Sequence, residues 1–171
     1  YKIGDASILK ELIKILAEEK IKVISSITFN PELTLIKGFY TKLKPGKNDL
    51  ASIKKGIKSL AEVNSFNHVQ ALVIRNSSII AQETFRGTKK MLQLIKKSKN
   101  SQGILIKYPK KKQDLRVDLP TIGLETLKDC KKAGIKGIVL KSKKNIFLDK
   151  EKSIYFANKN NIFILVKWKK F

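Results

Sequence analysis

The sequence predicts an α/β fold: a mixed sheet flanked by helices, in a single domain. Three observations predict it. Strand-length apolar runs, such as those at Val69–Arg75 and Gly103–Tyr108, are interleaved with segments whose apolar residues recur every three or four positions. Helices and strands alternate throughout instead of clustering by type. Hydrophobic residues make up 42% of the 171, enough for a full core. We find no internal repeat, low-complexity tract or internal linker.

The elements follow in order. Asp5 or Ser7 can cap a helix to about Glu19, with Ile8, Leu9, Leu12, Ile13, Ile15 and Leu16 as its apolar stripe. Ile21 to Ser26 has the composition of a short strand. Asn30-Pro31 is a cap followed by Pro at the first position of a helical turn. Thr41 to Asn48 is a loop with Pro45-Gly46 as its turn. Asn48 can cap a long helix carrying Leu50, Ile53, Ile57 and Leu60. Val69–Arg75, Asn76-Ser77-Ser78 and Ile79–Thr84 form strand, turn and strand. Gly87-Thr88 opens a helix with Met91, Leu92, Leu94 and Ile95. A polar link at Lys99–Gln102 leads to the strand Gly103–Tyr108. A helix with Leu124, Leu127 and Cys130 ends at Ala133-Gly134, where Gly supplies the left-handed conformation. Strands at Ile135–Leu140 and Ile146–Leu148, a helix capped by Asp149 through about Asn158, and a strand at Ile162–Lys167 complete the chain.

Composition excludes several function classes. One cysteine, Cys130, permits no internal disulfide and suits a reducing compartment. One His and one Cys argue against a zinc site. His68 lies in an Asn-rich loop with no nucleophile motif near it, and no glycine-rich phosphate loop is present. No run reaches membrane-spanning length. The formal net charge is +23, but only three of the 37 basic residues are Arg (Arg75, Arg86 and Arg116). Base and phosphate reading favours Arg, so a generic solvated basic surface explains the charge better than a nucleic-acid face. Lys96-Lys97 and Lys110-Lys111-Lys112 remain candidate anion contacts.

What is left is carboxylate chemistry. Asp5, Glu83, Asp114 and Asp118 lie near predicted loop or strand ends. Carboxylates with water and a hard cation suit phosphoryl transfer, and an Arg beside them can stabilise phosphate charge. The densest stretch is Gln113-Asp114-Leu115-Arg116-Val117-Asp118-Leu119-Pro120-Thr121-Ile122-Gly123. Read as a strand, it places Asp114, Arg116 and Asp118 on one face and Leu115, Val117 and Leu119 on the other. Thr121 or Gly123 can then open a helix. Strand ends that meet helix starts commonly hold phosphates, although an ion-paired edge strand has the same sequence.

This stretch resembles the signature of bacterial UDP-2,3-diacylglucosamine diphosphatases of the LpxI type. The likeness spans the chain: Gly4-Asp5 before a long helix, Val69-Gln70-Ala71, Gly87-Thr88-x-x-Met91-Leu92, Ile106-Lys107-x-Pro109, and Ala133-Gly134-Ile135-x-Gly137-Ile138 occur in order. The family also has an N-terminal nucleotide-binding-like α/β domain, so the expectation is that this chain, which starts at Tyr1, corresponds to the C-terminal domain alone. The resemblance implies hydrolysis of UDP-2,3-diacylglucosamine to 2,3-diacylglucosamine 1-phosphate (lipid X) and UMP in lipid A biosynthesis. It implies Mg²⁺ or another divalent cation as cofactor. An essential Asp of the signature maps to Asp114 or Asp118. Arg116 would neutralise phosphate or hold the two Asp. Asp114, Asp118 and Glu83 are the expected metal ligands, and Gln70, Gly87, Thr88, Lys107, Gln113, Thr121 and Gly123 the expected substrate contacts.

The expected partner is a nucleotide-linked acylated amino sugar, and no nucleic acid. A cytoplasmic location, contact with the inner membrane surface and a homodimer complete the expectations. Two departures stand out. Arg86-Gly87-Thr88-Lys89 replaces the usual Glu-Gly-Thr-Asp, and Ile27-Thr28 replaces a His-Glu pair. The first motivates an alternative, a non-catalytic module that binds the nucleotide-lipid or its product.

Overall fold

The computed structural model describes residues 5–66, 69–98, 102–111 and 113–168. His68, Lys112 and most of the link at 99–102 lie outside the described residues. In chain order the elements are α1 (Asp5–Glu18), β1 (Gly38–Phe39), α2 (Lys47–Phe66), β2 (Ala71–Arg75), β3 (Ser78–Gln82), α3 (Gly87–Leu94), β4 (Gly103–Lys107), β5 (Thr121–Ile122), α4 (Leu124–Lys132), β6 (Ile135–Lys141), β7 (Ile146–Phe147), α5 (Lys150–Lys159) and β8 (Phe163–Lys167). The architecture is α/β, as the alternation predicts.

One mixed sheet has the order β1-β8-β6-β4-β2-β3, and β5 and β7 form a separate parallel pair. β4, β6 and β8 run parallel, while β2 is antiparallel to both β4 and β3. The carboxyl ends of β3, β4, β6 and β8 therefore share one edge of the sheet with the start of β2. That edge positions the candidate site.

Helices cover both faces. Ile53, Ile57 and Leu60 of α2 pack on Leu72, Ile74, Ile104, Ile106 and Phe163. On the other face Met91, Leu92, Leu127, Cys130 and Ala157 cover Val73, Leu105, Ile138 and Ile164. The central strands are buried on both sides, which is why their sequences read as continuous apolar runs. Gly137 is required by this packing: a Cβ there would lie within 2.0–2.3 Å of the Phe163 ring. Asn76 and Ser77 both take positive φ, at 48° and 59°, which matches the hairpin turn predicted between β2 and β3.

Some expectations change. Residues 21–25 form no strand, and Ser26–Thr28 is a short 3-10 turn. Among the described residues this segment has no partner strand in the sheet. Asn30-Pro31 does open a helical turn, Pro31–Leu33. α2 begins at Lys47, before the expected cap Asn48, and the Asp49 carboxylate accepts the Gly46 N–H. Asp149 sits at the N-cap of α5 with φ 48°, but its side chain makes no capping hydrogen bond. The α1 stripe is only partly covered, with Ile8, Leu12 and Ile15 exposed.

The largest correction concerns 113–119. It is not a strand: Leu115–Val117 is a turn. The Asp114 carboxylate accepts the N–H of Arg116 two residues on, at 3.0 Å, and the Asp114 carbonyl accepts the Asp118 N–H, also at 3.0 Å. Asp offers its backbone this turn as an alternative to a sheet ladder.

Candidate active site

The shared sheet edge gathers residues that are far apart in sequence. Ala71 of β2 is in register with Lys107 of β4, so Gln70 lies just beyond the strand end beside Tyr108, whose N–H donates to the Gln70 carbonyl. Glu83 follows β3, and its N–H donates to the Ala71 carbonyl at 2.9 Å. Gly87, at φ +78°, turns the chain into α3 and directs Thr88 inward.

These placements build a buried polar chain. Lys107 Nζ donates to Thr88 Oγ1 at 2.8 Å, and Thr88 Oγ1 donates to Glu83 Oε1 at 2.5 Å. Glu83 Oε2 accepts the Gln70 N–H at 3.2 Å. Lys107, Thr88 and Glu83 are all buried. Burial pulls the Lys107 pKa below its usual value of 10.5, while the negative charges of Glu83 and then Asp118 oppose that fall. Asp118, half-buried after the turn, is thus close enough to act on Lys107. A buried ammonium whose pKa is shifted by burial and by two carboxylates marks a candidate functional group.

The turn divides the two signature aspartates. Asp114 is gripped by Arg116: Nε and Nη2 approach its carboxylate at 3.0 and 2.7 Å. Hydrogen bonds from the Arg116 side chain hold the Asp114 pKa below the usual carboxylate value. The Arg116 guanidinium stays exposed. Among the described residues, the Asp118 side chain has no such grip.

The second half of the signature lies on the small parallel pair and at the start of α4. Ile122 is fully buried, and β5 pairs with β7 through Thr121↔Ile146 and Ile122↔Phe147. Gly123 precedes α4 in extended backbone, and a Cβ there would come 3.3 Å from Leu148. Thr121 is exposed and donates to the Leu119 carbonyl. The structure thus places Gln70, Glu83, Gly87, Thr88 and Lys107 at the sheet edge, and sets Thr121 and Gly123 on the small parallel pair. Asp5, the first residue of α1, lies far away in sequence from this group.

Sequence reasoning missed Asn145. Its buried amide donates to the Lys107 carbonyl at 3.1 Å, and its oxygen accepts the Lys141 N–H. It ties the ends of β4 and β6 together behind Lys107. The only available signal was an Asn inside the turn before an apolar pair. Five side-chain polar atoms are buried without a hydrogen-bond partner among the described residues, and two of them, Gln70 Oε1 and Gln113 Nε2, belong to expected substrate contacts. Buried orphan groups beside a charged edge fit a ligand's polar atoms.

A divalent cation fits this edge only in part. Among the described residues no group of three or more His, Cys, Asp or Glu side chains is arranged to hold a metal. Glu83 is occupied by Thr88 and Gln70, and Asp114 by Arg116. Mg²⁺ in phosphate sites is commonly held by one or two carboxylates with the substrate's own phosphates, and Asp118 is the signature carboxylate left without a side-chain partner among the described residues.

Comparison with known proteins places this region in a family. The family model described as the LpxI C-terminal domain matches residues 36–165, which include the whole buried chain and the signature turn. A curated relative, the UDP-2,3-diacylglucosamine pyrophosphatase LpxI of Caulobacter vibrioides, is 28% identical over 170 residues. That alignment covers 95% of this chain and 61% of the relative, so the chain spans less than two thirds of the relative's length. With its buried Lys107 edge and its signature turn inside the matched region, the chain belongs to the LpxI C-terminal domain family.

Proposed function

We propose that this protein hydrolyses the diphosphate of UDP-2,3-diacylglucosamine, giving 2,3-diacylglucosamine 1-phosphate and UMP, as a step of lipid A biosynthesis. The observation that carries the proposal is the Lys107–Thr88–Glu83 chain, set beside Asp118 at the carboxyl edge of the sheet. The family and the name of the Caulobacter relative supply the substrate.

The residues divide the work as follows. Lys107 presents its ammonium to a phosphate oxygen and stabilises the negative charge that grows there. Thr88 and Glu83 fix the ammonium's position. Asp118 orients the attacking water and would hold a divalent cation together with the phosphates. When bound, that cation neutralises phosphate charge. Arg116, aimed by Asp114, meets a second phosphate from the solvent side. Gln70 and Gln113 offer their unpaired amide atoms to the rest of the ligand.

The test is UMP release from UDP-2,3-diacylglucosamine with Mg²⁺. It is run with this chain, and with a chimera in which the chain replaces the C-terminal domain of the Caulobacter relative. No release from either protein removes the proposal.

A second reading is a non-catalytic module for the same nucleotide-lipid. Arg86 and Lys89 favour it, since both are exposed at the start of α3, where they add positive charge rather than carboxylates. Substrate binding without UMP release in the chimera selects this reading.

A further inference from the structure

β3 is the last strand of the sheet, and its outer side has no partner strand among the described residues. Its sequence, Ser78-Ile79-Ile80-Ala81-Gln82, carries no charge in a chain where charged residues are 30%. Edge strands are normally guarded by charge or covered. Beside β3 a groove of about 500 Å³ runs under α3. Phe85 is 93% exposed, Leu94 68% and Ile80 38% along it. Arg75, which also donates to the Lys96 carbonyl, and Arg86, Lys90 and Lys96 supply the charge of the lining, and no acidic residue contributes. Arg86 lies 5.5 Å from the Phe85 ring centroid, so the most prominent apolar side chain is paired with a cation.

Charge decides what this surface fits. A second copy would set the same four cations against their equivalents across a two-fold interface. A nucleic acid satisfies the cations, but stacking needs aromatic faces, and Phe85 is the one aromatic residue of the groove. An anionic bilayer offers both halves of the match: head-group phosphates for the rim, and hydrocarbon for Phe85, Leu94 and Ile80.

We propose that the ridge of Phe85 and Leu94, with its rim of Arg75, Arg86, Lys90 and Lys96, docks this protein on anionic phospholipid surfaces. The inference stands on the surface itself and does not depend on the reaction at the neighbouring edge. Docking has a geometric consequence for that edge, because Phe85 lies on the loop between Glu83 and Thr88. The docked loop sets the buried Lys107 chain against the head-group layer.

The test is co-sedimentation of the protein with vesicles of phosphatidylglycerol and phosphatidylcholine, against vesicles of phosphatidylcholine alone. Binding is expected to the first, weakened by salt. Phe85→Ser with Leu94→Ser should weaken it by about tenfold, with the circular dichroism spectrum unchanged. Tyr155→Ser, at an exposed aromatic outside the groove, should leave binding as it was. Trp168 is the single tryptophan, so Phe85→Trp in a Trp168→Phe background reports insertion directly. A blue shift on adding phosphatidylglycerol vesicles is expected. Undiminished binding by the double variant, no emission shift, a dimer that the double variant dissociates, or RNA that displaces the vesicles through Phe85 overturns the proposal.

Discussion

Lys107 and Thr88, on β4 and α3, meet through a 2.8 Å hydrogen bond in which the ammonium donates to the hydroxyl. The hydroxyl passes its own hydrogen to Glu83. Thr88 therefore bonds on both sides, and its loss takes one hydrogen bond from each of two buried charged groups. We expect Thr88→Val to lower stability by about 1–3 kcal/mol. UMP release by the chimera should fall with it. Thr88→Ser, which keeps the hydroxyl, should restore most of both. Urea unfolding and a turnover assay on the three proteins check this.

Lys107→Met separates charge from packing. The side chain is 7% exposed, and Met fills a similar volume. Turnover should fall about a hundredfold, as when one preorganised donor to a developing oxyanion is removed. Substrate binding should weaken far less if the ammonium acts mainly on the transition state.

The same substitution has a pH signature. Lys107 has a folded pKa below 10.5, chiefly through burial. Between that lowered value and 10.5 the unfolded chain binds more protons than the folded one. Stability therefore rises with pH across this window, and the cost of burying the charge is fully present below it. Lys167 is lowered too, with the same sign, so the difference between the parent and Lys107→Met isolates Lys107. Unfolding free energies measured at rising alkaline pH should show a steeper climb in the parent.

The two signature aspartates should behave differently. Asp118→Asn removes a carboxylate that acts on Lys107 and should abolish UMP release while nucleotide-lipid binding persists. Asp114→Asn frees Arg116 and loosens the turn, so binding and turnover should decline together. Asp114 also carries an acid-dependent contribution. Its folded pKa lies below 3.8, so its stabilisation is present above that pH and is lost as pH falls through the lowered value. The contribution should be small and salt-sensitive, because the pair is largely solvent-exposed. Parallel acid titrations of the parent and Asp114→Asn measure it.

Gly137→Ala tests the core beneath the site. The added Cβ would meet the Phe163 ring at 2.0–2.3 Å, so β6 and β8 must separate or the ring must move. A loss of about 1–3 kcal/mol is expected, read as a lower thermal midpoint.

Much of the fold is legible in local patterns. Val69–Arg75 and Gly103–Tyr108 read as continuous apolar runs because β2 and β4 are covered on both faces. Asn76-Ser77 and Gly134 mark turns because those positions take positive φ. Cys130 reads as core from its spacing on a helix, and burial both hides it and pushes its thiol pKa up. The turn at Leu115–Val117 was not legible, since alternation at 114–119 suits a strand until the Asp114 carboxylate is known to hold its own backbone. Exposure of Ile80, Phe85 and Leu94 was equally hidden, because an apolar residue looks the same in sequence whether or not something covers it.

By itself, the sequence determined the class, the order of the longer elements and the residue types available for phosphate chemistry. These follow from periodicity and turn chemistry, which act over a few neighbouring residues. Only the tertiary structure decided which of those residues meet. Glu83, Thr88 and Lys107 converge because β2 lies between β3 and β4, which brings the ends of both strands to one edge. Asn145 joins them because β6 lies next to β4. Strand order results from burying both faces of the sheet at once, and no local stretch of the chain encodes that balance.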